Sequence, residues 1–154
     1  EGIDKNKTIV SPLDGKLIAL DQVKDEVFSA GILGDGMAVI PEKGELYAPA
    51  DAKIDTVFDS KHAISMVCEN GAEVLLHVGL ETVKLEGKYF EPQVKSGDQV
   101  TKGQLLMKFD LAALKKEGYD VVTPVIITNS ADYQLNKASE GMIKCGDVIM
   151  GLKR

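Results

Sequence analysis

Two histidines, His62 and His77, are the strongest chemical signal in the chain, which has no others. Imidazole titrates near neutral pH, binds metals, acts as a base and can itself be the nucleophile. The pair brackets Asn70-Gly71, between a run AISMVC (Ala63–Cys68) and a run VLLHV (Val74–Val78) that both read as strands. Asn-Gly is a strong hairpin signal, since both residues tolerate positive φ. A two-residue turn at Asn70-Gly71 sets His77 opposite Ile64 and His62 opposite Gly79. Side chains alternate, so both imidazoles emerge on one face, with Cβ atoms roughly 7 Å apart. A three-residue loop would instead put them on opposite faces. In the two-residue register the histidine face also carries Ile64, Met66, Cys68 and Leu75. Ala63, Val67, Val74, Leu76 and Val78 then form the core side.

Three chemistries suit such a pair. Zinc needs three or four ligands, and no HxH or HExxH spacing accompanies the histidines, so no metal is expected. Serine hydrolysis needs a nucleophile elbow, and neither Ser60 nor Ser65 lies in one. GILGDG (Gly31–Gly36) lacks the lysine of a phosphate-binding loop. Covalent phosphoryl transfer needs one acceptor nitrogen, a neighbouring donor for the phosphoryl oxygens, and an apolar surround that excludes water. The pair and its setting supply all three.

The rest of the chain must position that face. At 154 residues, with 44% hydrophobic and 27% charged residues, one domain with a substantial core is expected over 1–154, with 1–7 as a flexible N-terminal segment. No apolar run reaches the roughly 20 residues of a membrane helix, so no membrane insertion is expected. A net charge of −6 argues against nucleic acid as a partner. Cys68 and Cys145 form no CxxC motif, which suits a cytoplasmic location. Thirteen short β-like runs, Lys84–Lys88 among them, are punctuated by fifteen glycines and five prolines. They predict an all-β fold, an antiparallel sandwich or barrel-like arrangement with one short helix and a few helical turns. The helix is expected at Leu111–Glu117, capped by Asp110 and ended by Gly118, with a helical turn over Asp25–Ala30. Two segments, VKSGDQVTKGQLL (Val94–Leu106) and IKCGDVIMG (Ile143–Gly151), share a Gly-Asp turn motif.

GAEVLLHVGLETVKLEG (Gly71–Gly87) resembles the phosphorylation-site signature of glucose-type IIA domains, phosphocarriers of the bacterial phosphoenolpyruvate-dependent sugar phosphotransferase system. The similarity extends through SPLDGKL (Ser11–Leu17), DEVFSAGILGDGMAVIP (Asp25–Pro41), APADAKI (Ala48–Ile54), FDSKHAIS (Phe58–Ser65), KSGDQVTKGQLLMKFDL (Lys95–Leu111) and TPVIITN (Thr123–Asn129). The resemblance implies an antiparallel β-sandwich and a phosphotransferase component working through phosphohistidine. His77 would be the acceptor, through Nε2. His62 would stabilise the phosphoryl group, and the Ser60 hydroxyl would orient His62. Partners would dock on Val27, Phe28, Ile32, Leu33, Phe58, Ile64, Leu75 and Val83, with Asp25 and Glu81 at the rim. The implied donor is the small histidine-containing phosphocarrier protein and the implied acceptor a cysteine of a IIB domain, with no cofactor. The alternative is a lipoyl- or biotinyl-type carrier modified at Lys108, which would need that lysine at a hairpin tip.

Overall fold

The computed structural model describes residues 7–154, so the segment expected to be flexible, 1–7, lies outside the described residues except for Lys7. Fourteen strands follow one another: β1 (Thr8–Val10), β2 (Gly15–Ala19), β3 (Asp35–Pro41), β4 (Glu45–Tyr47), β5 (Ala52–Val57), β6 (Ala63–Cys68), β7 (Glu73–His77), β8 (Phe90–Pro92), β9 (Gln99–Val100), β10 (Leu105–Phe109), β11 (Thr123–Ile127), β12 (Gln134–Lys137), β13 (Gly141–Ile143) and β14 (Val148–Lys153). Eight of them form one sheet in the order β13-β2-β3-β11-β7-β6-β5-β9, and two three-stranded sheets run β1-β14-β12 and β4-β10-β8. All pairings are antiparallel. The protein is all-β and sandwich-like, as the spacing of strands and turns predicts.

Helices are short. Helix α1 (Glu26–Ser29) is capped by Asp25, whose carboxylate accepts from the Val27 N–H. Helix α2 (Leu111–Lys116) is capped by Asp110 accepting from the Ala113 N–H, and Gly118 follows its end at φ +85°. Both were expected. The segment expected as a strand at Lys84–Lys88 is different: Thr82–Leu85 is a 3₁₀ turn between left-handed Glu81 and Glu86. Two positive-φ residues so close together prevent an extended run. Among the described residues no helix is long and apolar enough to cross a membrane.

Two apolar clusters divide the interior. The larger fills the space between one face of the main sheet and the small sheets, and includes Ile9, Leu46, Ile64, Met66, Leu76, Leu106, Val125 and Met150. The smaller lies on the other face, beneath α1 and the turn Leu20–Gln22, and contains Ile18, Leu20, Phe28, Ala38, Ala63, Leu75, Leu80 and Ile126. The repeated Gly-Asp turns are alike in detail. Asp98 accepts from the Lys95 N–H and Asp147 from the Lys144 N–H, both at 2.9 Å, while Gly97 and Gly146 sit at φ +92° and +96°. Each turn hands the chain into a sheet, to β9 in one case and β14 in the other.

Candidate functional site

The β6–β7 hairpin carries both histidines, but in a register one residue from the expected one. Ala63 pairs with His77, Ile64 with Leu76 and Ser65 with Leu75. The loop is Glu69–Asn70–Gly71, with Cys68 N–H donating to the Ala72 carbonyl at 2.8 Å. Only Gly71 takes positive φ, at +96°. Asn70 is occupied otherwise: its Oδ1 accepts from the Ala72 N–H and its Nδ2 donates to the Thr8 carbonyl. A three-residue loop with a left-handed glycine therefore replaces the two-residue turn. The slip reverses the faces of β6, while Val74, Leu76 and Val78 of the β7 run keep the core side expected of them. Ile64, Met66 and Cys68 point into the larger core with Val74, Leu76 and Val78, whereas Ala63, Leu75 and His77 share the opposite face.

The two imidazoles nevertheless meet, with ring centroids 4.7 Å apart and planes at 82°. Strict alternation would separate them, but His62 precedes β6 and so escapes it. Lys61 is left-handed at φ 62°, closing a tight turn in which its N–H donates to the Phe58 carbonyl. The His62 carbonyl still accepts from the Val78 N–H at 2.8 Å, so its backbone remains tied to the hairpin while its ring swings toward His77. Asp59 and Ser60 suit a turn, but no glycine marks the left-handed position that Lys61 takes.

His77 ends β7, and its Nδ1 lies 2.8 Å from the Gly79 carbonyl. A carbonyl only accepts, so Nδ1 carries the proton and Nε2 keeps its lone pair. Burial lowers the His77 pKa to about 4, with further lowering from the charge His62 would carry, partly opposed by the Gly79 carbonyl and Asp25. The ring is thus neutral at pH 7. His62 is 4% exposed and its pKa is also lowered, again chiefly by burial. Its Nδ1 is buried without a hydrogen-bond partner. The main chain of Ser60 pulls the pKa the other way but stops short of a well-formed bond. The Ser60 hydroxyl makes no hydrogen bond to His62 in this structure, contrary to expectation, because the turn presents the Ser60 backbone instead.

Aromatic edges complete the surround. Phe28 of α1 meets His77 at 4.9 Å between centroids, and Phe58 meets His62 at 5.9 Å. Phe28 and Leu75 are buried in the smaller cluster, while Val27, Ile32, Leu33, Phe58 and Val83 expose apolar surface on the segments that frame the histidines. Ile64 does not belong to this face: it is 0% exposed, in the larger core, for the register reason above. Asp25 caps α1 and acts on His77 through its charge; Glu81 pairs with Lys84 at 3.1 Å.

Residues inside the Gly71–Gly87 signature, to which the sequence assigned no role of their own, hold the His77 ring in place. Gly79 is left-handed at φ +80°, and a Cβ there would lie 2.6 Å from Thr82 Cγ2. Its N–H donates to the Val122 carbonyl, and the Leu80 N–H donates to the Asp120 carbonyl. Thr82 is fully buried, and its hydroxyl donates to the Val78 carbonyl at 2.6 Å.

Other chemistries find less support. Among the described residues, no three His, Cys, Asp or Glu side chains gather as a metal site. The Cys68 thiol is buried, with its pKa pushed up to about 12, and so is inert. Lys108 lies within β10, paired with Glu45 and Glu91 on flanking strands, and not at a hairpin tip.

Comparison with known proteins places the chain in a family. The family model "phosphoenolpyruvate-dependent sugar phosphotransferase system, EIIA 1" matches residues 7–133. The PTS system beta-glucoside-specific EIIBCA component of Dickeya chrysanthemi is 47% identical over 133 residues, covering 86% of this chain and 21% of that protein. The component of the same name from Bacillus subtilis (strain 168) is 46% identical over 145 residues, covering 94% and 24%. The chain thus spans about a fifth to a quarter of the length of these curated relatives. Among solved structures, the glucose permease IIA from Mycoplasma capricolum superposes with a TM-score of 0.89 at 39% identity, covering 96% of each chain. The chain belongs to the EIIA 1 family of the phosphoenolpyruvate-dependent sugar phosphotransferase system, as a glucose-type IIA domain.

Proposed function

We propose that this domain carries a phosphoryl group on Nε2 of His77, taking it from the small histidine-containing phosphocarrier protein and passing it to a cysteine of a IIB domain. The observation that carries this reading is the hydrogen bond from His77 Nδ1–H to the Gly79 carbonyl, which directs the lone pair of a neutral ring to Nε2. In loading, Nε2 attacks the donor's phosphorus as the donor's own N–P bond breaks, so the phosphoryl group moves without loss to water. In unloading, the IIB thiolate attacks and His77 leaves as neutral imidazole. His62, at 4.7 Å between ring centroids, supplies an N–H to the phosphoryl oxygens.

Docking draws on Val27, Ile32, Leu33, Phe58 and Val83, apolar side chains exposed on the segments around the pair. Asp25 and Glu81 give the rim a negative charge suited to a basic partner. A IIB acceptor is supported by the relatives, whose names join an A component to a B component. The domain works in the cytoplasm, where sugar enters as its phosphate.

The test is intact mass after incubation with phosphoenolpyruvate, enzyme I and the histidine phosphocarrier. One acid-labile phosphoryl group is expected on the native domain and none on His77→Gln. Stoichiometric uptake by His77→Gln would overturn the assignment.

A further inference from the structure

We propose that Thr82 is a positioning residue for His77, fixing the tautomer of the acceptor ring by holding the Val78–Gly79 peptide group whose neighbour supplies the carbonyl to Nδ1. The inference rests on the phosphocarrier reading for its consequence in catalysis, but not for its structural content.

Two consecutive peptide planes set the direction of the Gly79 carbonyl, and each is held at its ends. In the first plane the Val78 carbonyl accepts from Thr82 Oγ1 at 2.6 Å, and the Gly79 N–H donates to the Val122 carbonyl at 3.0 Å. In the second, the Gly79 carbonyl accepts from His77 Nδ1 at 2.8 Å, and the Leu80 N–H donates to the Asp120 carbonyl at 2.9 Å. Three of these four bonds are made by main chain or by the histidine itself. Thr82 supplies the fourth, and among the described residues its side chain is the only one besides His77 that hydrogen-bonds to either plane. A buried hydroxyl in this place is not filler: Thr82 is 0% exposed, and its methyl packs so closely on Gly79 that a Cβ there would approach it to 2.6 Å. The methyl excludes any side chain at residue 79 and the hydroxyl orients the peptide before it.

Neutral imidazole has two tautomers of similar energy, and only the one protonated at Nδ1 presents a lone pair at Nε2. An acceptor carbonyl that tilts away gives up that selection. Removing the hydroxyl leaves the buried Val78 carbonyl unsatisfied, and the peptide group is then free to turn toward another donor.

Thr82→Val keeps the methyl packing and removes the donor, whereas Thr82→Ser keeps the donor. Nitrogen-15 spectra of the His77 ring are expected to show the Nδ1–H tautomer alone in the native protein and in Thr82→Ser, and a mixture in Thr82→Val. Phosphoryl uptake is expected to slow about tenfold in Thr82→Val and to recover in Thr82→Ser. A single Nδ1–H tautomer in Thr82→Val would overturn the proposal. Absence of phosphoryl uptake by the native protein would overturn the carrier reading and leave the tautomer result standing. Should Thr82→Val not fold, the native protein decides: a Thr82 hydroxyl proton protected from solvent exchange supports the proposal, and one that exchanges freely overturns it.

Discussion

His62 and His77 meet edge to face, 4.7 Å between centroids and 82° between planes, so that two cations cannot share the site without facing each other at short range. Burial already disfavours charge on each ring, and the pairing adds to it for His77. The site is consequently a neutral one, and in the proposed transfer His77 needs no base to deprotonate it at physiological pH.

Titration of the ring protons by NMR checks this directly. His77 is expected to change charge at about pH 4 and His62 below the ordinary 6.5. A midpoint for His77 near 6.5 would show that the ring is solvated and the pocket open.

The same shift has a consequence for stability. The folded His77 pKa lies below its unfolded value of 6.5, so between about pH 6.5 and 4 the unfolded chain binds the extra proton. Stability is therefore full above this window and falls as pH drops through it, by up to about 3 kcal/mol from this group. Urea unfolding at pH 7, 5.5 and 4.5 measures the slope, and His77→Gln should flatten it.

His62→Gln separates acceptance from delivery. The acceptor nitrogen is untouched, so phosphoryl uptake is expected to persist, while transfer to the IIB cysteine slows by about 10²-fold with the loss of the donor to the phosphoryl oxygens. Stopped transfer assays with preloaded domain read the second step alone; equal rates in native and variant protein would remove His62 from the chemistry.

Phe28 links helix α1 to the His77 ring. Phe28→Ala should cost about 3–5 kcal/mol, as a buried aromatic removed from a packed cluster. It should also raise the His77 pKa toward 6.5 by admitting water. Thermal unfolding and the NMR titration give the two readings on one sample.

Ile64 and Val83 test the corrected face. Ile64→Ala is expected to lose about 2–5 kcal/mol of stability through a cavity in the larger core, with little effect on partner affinity in protein that remains folded. Val83→Ser, at an exposed position, should leave unfolding nearly unchanged and weaken docking. The opposite pattern would restore the two-residue register.

Where the sequence was legible, local chemistry decided the outcome. Asp25 and Asp110 cap helices because short carboxylates satisfy free N–H groups, and Gly97 and Gly146 turn the chain because they accept positive φ. The hairpin misled because Asn70 could serve a two-residue turn but is drawn by the Thr8 carbonyl, a contact from 62 residues away. The histidines met for a reason other than the expected one: Lys61 adopts a left-handed conformation that its residue type does not announce. Strand β12 was missed because Gln134–Lys137 is polar and largely exposed, so no alternation marks it. The signature Gly71–Gly87 contained Gly79 and Thr82, but not what they do for the His77 ring. Gly79, Thr82 and the carbonyls of Asp120 and Val122 act through backbone geometry, which residue types encode weakly.

Position within the main sheet has a further consequence. Strand β7 lies between β11 and β6, with neighbours on both sides, and His77 projects from only one face of it. With the opposite face filled by the larger core, His77 is reached from one side, so on the proposed carrier reading giver and receiver must use one doorway in turn. On that reading throughput is governed by how quickly each visitor leaves, and an excess of either partner slows the relay by occupying the doorway against the other.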